Sequence, residues 1–415
     1  MQATLLTIGD ELLIGQVLDT NAHWISSYLY EQGIELASTM TVSDSKLEIG
    51  AALTHAAKTS RVVLLTGGLG PTKDDLTLEA IAEHLELPLV FNEETFARIE
   101  HIFKELIKRP LTPLHKRQAY QPQGAQTLLN KQGTAPGIWI EKHGVIYIAM
   151  PGVPREMKYL MTEEVVPRLL PLASSKTRKE VTIHTAGWGE TQIATAIQAV
   201  EDKLPSHISL AYLPSLGTVR VRINAEGDNG EALLKELEAW KVKIVKLLPK
   251  ELIYGYGNTS MVEVVQQLLL KKKMTLVTAE SCTGGMIAHS ITERPGASKV
   301  FYGSVIAYDN SVKKKLLGVP DHIFKQHGAV SEQAVRAMVK GILPLLGADV
   351  AIATSGIAGP SGGTPEKPVG TIWVAIGTRN QIITRKLSFR HDRATNIART
   401  STTALDMLRR FLLIA

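Results

Sequence analysis

Short apolar runs alternate with amphipathic stretches along most of the chain. Ala3–Ile8, Glu35–Val42, Arg61–Leu65 and Val145–Met150 have the composition of strands. Asn21–Gln32, Lys46–Thr59 and Leu76–Leu85 repeat their apolar residues at helical spacing. This alternation predicts a mostly parallel sheet covered on both faces. Ligands of such sheets collect beyond the carboxyl ends of the strands. Gly- and Pro-rich segments follow those ends: Gly9-Asp10-Glu11, Thr66–Thr72 and Met150–Pro154.

The pattern changes after Leu170–Thr177, which reads as a linker. Residues 179–253 hold two or three strands, Thr218–Ile223 being the clearest alternation, and helices over Gln192–Lys203 and Glu231–Leu248. A helix N-cap cluster, Asn258-Thr259-Ser260, opens the last part. There Met274–Val277, Val350–Thr354 and Thr371–Ile376 read as strands. With 415 residues the chain is too long for one core. The expected domains are 1–172, an α/β domain; 173–255, a small α+β domain; and 256–415, a second α/β domain.

Composition narrows the function classes. Hydrophobic content is 44% and charged content 21%, as in an ordinary globular protein. The single cysteine, Cys282, excludes an internal disulfide and fits a reducing cytoplasm. No apolar run is long enough for a membrane helix, and the N-terminal run reads as a first strand rather than a signal peptide. The formal charge of +6 is a mild excess without a basic stripe. Direct nucleic-acid binding is therefore not expected, whereas phosphorylated small molecules suit such a surface. The runs Lys271–Lys273 and Lys313–Lys315 read as solvated helix faces, Lys313 being the candidate exception.

Two segments carry candidate chemistry. Thr66–Thr77 follows a buried-type strand and opens a helix, and its Gly67, Gly68 and Gly70 let backbone approach a phosphate, with Thr72 beside them. Asp74 and Asp75 follow as candidate ligands for a divalent cation, and Asp10 can reach the same crevice. The plainer reading of this acidic pair is as helix-capping acids. The loop is neither a P-loop nor a dinucleotide fingerprint.

The second segment, Thr278–Gly285, places Ser281 on a strand-to-helix turn. Ser281 is a candidate nucleophile, or simply an N-cap. Cys282 is a second candidate. A serine needs a base. His289, His322, His327 and His391 form no triad recognisable by spacing, so Lys313 is the alternative, provided burial makes it neutral. Tyr308 can relay a proton or orient the leaving group, and amides over Cys282–Gly285 can bind an oxyanion. Thr354–Gly363 and the basic residues Arg393 and Arg399 suit phosphate or ribose.

These motifs carry a resemblance. Gly9–Gly15, Asp19-Thr20-Asn21, Thr66–Thr77, Gly133–Gly137 and Pro151–Met157 resemble the N-terminal domain of the CinA family, itself similar to molybdopterin-binding proteins. Ala279–Gly285, Tyr308–Lys313, His327–Glu332 and Ser355–Pro360 resemble the CinA C-terminal domain. Residues 179–253 are similar to the KH-like module between them, without the Gly-X-X-Gly clamp that KH domains use on RNA.

The resemblance implies a molybdopterin-binding-like α/β domain, a KH-like linker and a C-terminal α/β amidohydrolase domain. It further implies a cytoplasmic enzyme of pyridine-nucleotide recycling. Nicotinamide mononucleotide is then deamidated through Ser281, Tyr308 and Lys313, with no cofactor. Thr283, Gly284, Gly285, Ser355, Gly356, Gly359, Arg393 and Arg399 are the candidate substrate contacts. ADP-ribose is hydrolysed to AMP and ribose 5-phosphate with a divalent metal of the Mg, Mn or Co class on Asp74 and Asp75. Gly67, Gly68, Gly70, Thr72, Asp10 and Asn21 are the candidate contacts there. A homodimer without membrane or nucleic-acid partners is expected. The alternative is a nucleotide- or molybdopterin-binding scaffold linked to DNA uptake, without hydrolysis.

Overall fold

A computed structural model describes residues 2–172 and 177–414. The central part of the expected linker, residues 173–176, lies outside the described residues. By compactness the chain divides into two units, Met1–Arg178 and Lys179–Ala415. No helix among the described residues is long and apolar enough to cross a membrane.

The first unit is built on a six-stranded sheet. Glu35–Val42, Gln2–Ile8, Val62–Thr66 and Val145–Met150 are neighbours in that order and parallel. The near-continuous apolar character of the inner three follows from burial on both faces, whereas the edge strand Glu35–Val42 alternates exposed and half-buried positions. The helix Thr20–Glu31 and the segment Pro154–Leu169 cover one face. Lys46–Thr59 and Thr77–His84 cover the other. The far edge is antiparallel: Gly137–Lys142 pairs with Val145–Met150, and Gln126–Leu128 with Gly137–Lys142. A two-residue turn joins the first pair, with His143 and Gly144 at φ 54° and 78°. Both central residues of such a hairpin turn need positive φ, so its twist matches that of the strands.

In the second unit, residues 177–256 form a four-stranded sheet, richer than the two or three strands expected. Helices Glu190–Glu201 and Gly230–Leu247 pack on it. This module is not a free spacer. The buried Arg409, on the last helix, donates to the carbonyl oxygens of Glu251 and Ile253. Asp406 accepts from both Arg409 and Arg410, and Arg410 donates to Ala186 C=O. A buried ion pair whose remaining donors meet backbone carbonyls avoids the cost of an unpaired charge.

The rest of the unit carries a five-stranded sheet in the order Phe301–Ile306, Leu276–Glu280, Val350–Gly356, Thr371–Gly377, Ile382–Ser388. The first three are parallel and the last two antiparallel. Helices Met261–Lys272, Met286–Thr292 and Arg393–Ile414 pack on one face. Asn310–Leu317, Asp321–His327 and Glu332–Leu346 pack on the other. The helix after Leu276–Glu280 and the helices after Phe301–Ile306 thus leave to opposite faces. That divergence opens a crevice at the carboxyl ends of these two strands.

Two glycines give a packing test. A Cβ at Gly341 would lie 1.8 Å from the Leu317 carbonyl oxygen, at the end of the helix that carries Lys313. Gly341→Ala is expected to destabilise the second unit by roughly 1–3 kcal/mol through overpacking. Gly50, in the Lys46–Thr59 helix, has nothing within 4 Å of its ideal Cβ. Gly50→Ala is expected to stabilise the first unit by up to about 1 kcal/mol. Denaturant melts of the two variants check both signs.

Candidate functional site

The crevice in the second unit is organised by a buried carboxylate. Glu280 ends its strand fully buried. It accepts hydrogen bonds from Gly285, Ile287 and Ala288 N–H at 2.8–3.2 Å. The Thr278 hydroxyl lies 3.1 Å away from it and 2.8 Å from Ser304 Oγ. Burying a carboxylate is tolerable only with such donors. They cap the helix that starts at Met286 and close residues 281–285 into a tight turn. Gly285 enters that helix at φ 97°, a region that favours glycine.

Ser281 sits at the start of this turn, 8% exposed. Its N–H donates to Thr354 C=O, and the Thr283 and Thr354 hydroxyls lie 2.8 Å apart. The turn is thereby fixed to the neighbouring Val350–Gly356 strand. The Cys282 thiol is buried, and burial pushes its pKa up to about 12. A thiol so held stays protonated near neutral pH, which makes it the poorer nucleophile.

Lys313 is 1% exposed. Burial pushes its amine below the ordinary lysine value, against the opposing pull of Asp309 and Cys282. Ala307 N–H donates to Glu280 C=O at 2.8 Å, which brings the residue before Ser281 alongside the segment leading to the Lys313 amine. The amine's hydrogen bond runs to Tyr308 C=O, at 2.9 Å, rather than to Ser281. A neutral amine can make this bond and keep its lone pair. The Tyr308 phenol points elsewhere. It is 57% exposed, and its hydroxyl accepts from Arg393 Nη2 at 2.7 Å. Arg393 Nη1 donates to Gly359 C=O at 2.8 Å. Arg393 therefore ties Tyr308 to the second Gly-rich loop. It also lines a groove of about 760 Å³ with His391 and Ile397. Ser281 and Lys313 are not among that groove's walls, and Arg393 is the link between the two places.

Several expected contacts fall differently. The Gly284 and Gly285 amides are taken by Ser281 C=O and Glu280. Thr283 N–H meets no acceptor among the described residues and Cys282 N–H meets only its own thiol, so these are the amides left to face an oxyanion. Ser355 is buried and donates to Ala329 C=O. A Cβ at Gly356 would collide with Ile372, so this glycine serves packing. Arg399 does not join Arg393. Its Nη1 lies 2.8 Å from His391 Nε2, and its guanidinium stacks 5.2 Å over Phe389. Glu280 is the residue that sequence reasoning passed over, although it stands next to Ser281.

In the first unit, the Thr66–Thr77 loop lines a cavity of about 450 Å³ together with Glu11, Asp44, Gln118 and Glu156. The two neighbouring aspartates diverge. Asp75 folds back on its own loop, accepting from Gly70 N–H at 2.7 Å, Thr72 N–H at 2.8 Å and the Thr72 hydroxyl. These donors leave it little capacity for a cation. Asp74 is exposed and lines the cavity. Asp10 and Asp44 exchange hydrogen bonds between each backbone N–H and the other's carboxylate. Burial, then the charges of Asp10, Glu11 and Asp74, raise the Asp44 pKa. Asn21 donates to Gly152 C=O at 2.7 Å, and its buried Oδ1 has no partner among the described residues. It lines an adjoining cavity of about 170 Å³ that shares Glu11 and Gly152 with the first. Glu156, whose pKa burial raises, accepts from Asn130. It belongs to the Pro151–Met157 motif, which was quoted for the resemblance without singling out this carboxylate.

Among the described residues no three His, Cys, Asp or Glu side chains form a ready-made metal cage. The hard oxygen donors Asp74, Asp44, Asp10 and Glu11 instead fit a cation held by one or two carboxylates and completed by substrate phosphates.

Comparison with known proteins matches the whole length. Family models match as "Probable molybdopterin binding domain" over residues 4–171, "Damage-inducible protein CinA KH domain" over 180–255 and "CinA C-terminal domain" over 258–412. A CinA-like protein of Cytophaga hutchinsonii is 41% identical over 410 residues, 99% of this chain and 98% of its own. One from Dictyoglomus turgidum is 41% identical over 418 residues, covering 100% of both chains. The solved structure of the protein CinA with unknown function from Thermoplasma acidophilum is 35% identical, with a TM-score of 0.37 over 39% of this chain and 94% of that one. A mixed α/β chain with these three matched segments, aligned end to end with such relatives, belongs to the CinA family.

Proposed function

We propose that the second unit is a serine amidase that uses lysine as its base. The observation that carries this reading is a fully buried Lys313 with a depressed pKa, on the segment that Ala307 N–H ties to Glu280 C=O next to Ser281. Lysine adopts this state where burial disfavours its charge, and a neutral amine near a serine is a base for it. Nicotinamide mononucleotide is the substrate that family membership supports. Its phosphate suits Arg393, the cation that also holds Tyr308 and the Gly359 loop.

The steps balance without a cofactor. Ser281 Oγ attacks the carboxamide carbon while its proton passes to Lys313 Nζ. Cys282 and Thr283 N–H face the oxyanion. The C–N bond breaks, Lys313 returns the proton to the departing nitrogen, and ammonia leaves. Water, its proton passing to Lys313, then attacks the acyl carbon; the C–Oγ bond breaks, Lys313 returns the proton to Ser281 Oγ, and the carboxylate product leaves.

For the first unit we propose hydrolysis of a diphosphate, ADP-ribose being the substrate family membership supports. Asp74, with Asp44, Asp10 and Glu11 near it, would hold a divalent cation that neutralises phosphate charge when bound. Asp75 keeps the loop in shape. A scaffold that binds nucleotides without hydrolysing them is the rival, favoured if calorimetry shows binding without the heat of turnover.

Ser281→Ala is expected to lower ammonia release from nicotinamide mononucleotide by on the order of 10⁴-fold or more. Lys313→Arg is expected to cost about 10²–10⁴-fold, since a guanidinium does not deprotonate. Cys282→Ala should retain turnover. Equal rates in wild type and Ser281→Ala would overturn the assignment.

The pH dependence has a definite sign. Activity should rise with pH through the lowered Lys313 value, below the ordinary 10.5. Stability should rise over the same window. There the unfolded chain binds a proton that the folded chain does not, and the burial penalty on the charged amine is relieved. Rate profiles and urea melts of wild type and Lys313→Met separate the two effects. A wild-type profile flat across this window counts against lysine as base.

Asp74→Asn should abolish most metal-stimulated ADP-ribose hydrolysis. Asp75→Asn should also lower the melting temperature of the first unit, because its loop loses a carboxylate acceptor. Hydrolysis unchanged by a chelator would remove the metal from the scheme.

A further inference from the structure

The second unit contains another cavity, of about 240 Å³, where the 177–256 module meets the last sheet and helix. Trp188 and Thr218 line it from the module, and Arg385, Phe389, Arg399 and Thr402 from the other side. We propose that it binds a small phosphorylated metabolite at a site separate from the Ser281 crevice.

Charge carries the argument. Arg385 is exposed, and its side chain makes no hydrogen bond or ion pair to a described residue. Arg399 gives Nη1 to His391 Nε2 and lays its plane over Phe389, while its buried Nε has no partner. A buried guanidinium N–H without an acceptor is costly unless something accepts from it. Of the two carboxylates at the cavity, Asp406 is neutralised by Arg409 and Arg410. Glu190 is exposed and leaves the two arginines in excess. Paired guanidinium forks with nearby hydroxyls are the donor set for phosphate oxygens. The Trp188 face suits the apolar side of a sugar or base. The cavity is below the usual size for a drug-sized ligand, which favours a phosphorylated sugar or mononucleotide over a dinucleotide.

The site adjoins the substrate groove through one residue. His391, held by Arg399, also lines the 760 Å³ groove beside Arg393. A ligand that draws Arg399 toward itself competes with His391 for that guanidinium. Occupancy of the cavity therefore biases the wall of the groove. The proposal does not depend on the amidase reading, since binding is measured directly.

The test is calorimetric titration of the full-length protein with inorganic phosphate, ribose 5-phosphate and AMP at constant ionic strength. Arg385→Glu, Lys386→Glu and Arg393→Ala are compared with wild type, and Trp188 fluorescence is followed against Trp188→Phe. Arg385 is exposed, so its variant is expected to melt like wild type. The expected result is a binding event for ribose 5-phosphate or AMP that persists when Asp74→Asn is added to remove the first-unit site and that is weakened at least tenfold by Arg385→Glu. Lys386→Glu and Arg393→Ala should leave it intact. Phosphate alone binding as tightly as either ester would restrict the ligand to the free anion and overturn the metabolite claim. An isotherm unchanged in Arg385→Glu, equally weakened by Lys386→Glu, or lost in Arg393→Ala would overturn the site.

Discussion

The second unit depends on one buried anion. Glu280 ends the central parallel strand where the chain must turn into a helix, and its carboxylate collects the N–H groups of Gly285, Ile287 and Ala288. A helix start leaves amides unpaired, and a carboxylate there is favoured by both hydrogen bonding and the helix dipole. With the turn closed, both Ser281 and Cys282 are buried. Thr278 reaches Ser304 on one neighbouring strand and Thr283 reaches Thr354 on the other. The nucleophile candidate is thus held by three strands rather than by a loose loop. Such rigidity is what positioned chemistry requires.

The amidase reading needs a base whose burial is a tertiary fact. Lys313, Lys314 and Lys315 are indistinguishable by composition, yet one of them is buried. Helical spacing holds the explanation. Lys313 and Leu317 are four apart on the helix Asn310–Leu317, share one face, and are its buried residues. The same geometry separates two arginines that looked equivalent. Arg393 and Arg399 lie six residues apart on one helix, about 240° around its axis, so they cannot serve one site. One reaches Tyr308 and the other Phe389.

The inner parallel strands, Gln2–Ile8, Val62–Thr66 and Val350–Gly356, were legible because burial makes them nearly all apolar, whereas the edge strand Phe301–Ile306, half exposed, was not read as one. The strand before Ser281 was read too early, at Met274–Val277, whereas it runs Leu276–Glu280. Its second half holds Thr278 and Glu280, polar residues that burial tolerates only because each is hydrogen-bonded. Apolar patterning cannot register a satisfied polar group in a core. The hairpin over Gly137–Met150 was missed for another reason. Val145–Met150 was read alone, although the run Gly137–Lys142 and the His143-Gly144 pair stand just before it.

Gly-rich loops at strand ends are ordinarily read as cradles for a ligand's phosphate. In both units a carboxylate of the chain itself fills part of that role. Asp75 accepts from the Gly70 and Thr72 amides, as Glu280 accepts from the amides after Gly284. An anionic ligand cannot use donors already held by an internal anion, and it is repelled by that anion's charge. Phosphate recognition is therefore pushed outward. In the second unit the proposed phosphate contacts are guanidinium groups instead: Arg393 at the groove, and Arg385 with Arg399 at the smaller cavity. In the first unit the cavity faces Asp74, Asp44 and Glu11, so a diphosphate would enter against negative charge. No cationic side chain lines the cavity among the described residues to offset that repulsion, which is why the proposed diphosphate chemistry calls for a divalent cation between the two sets of anions.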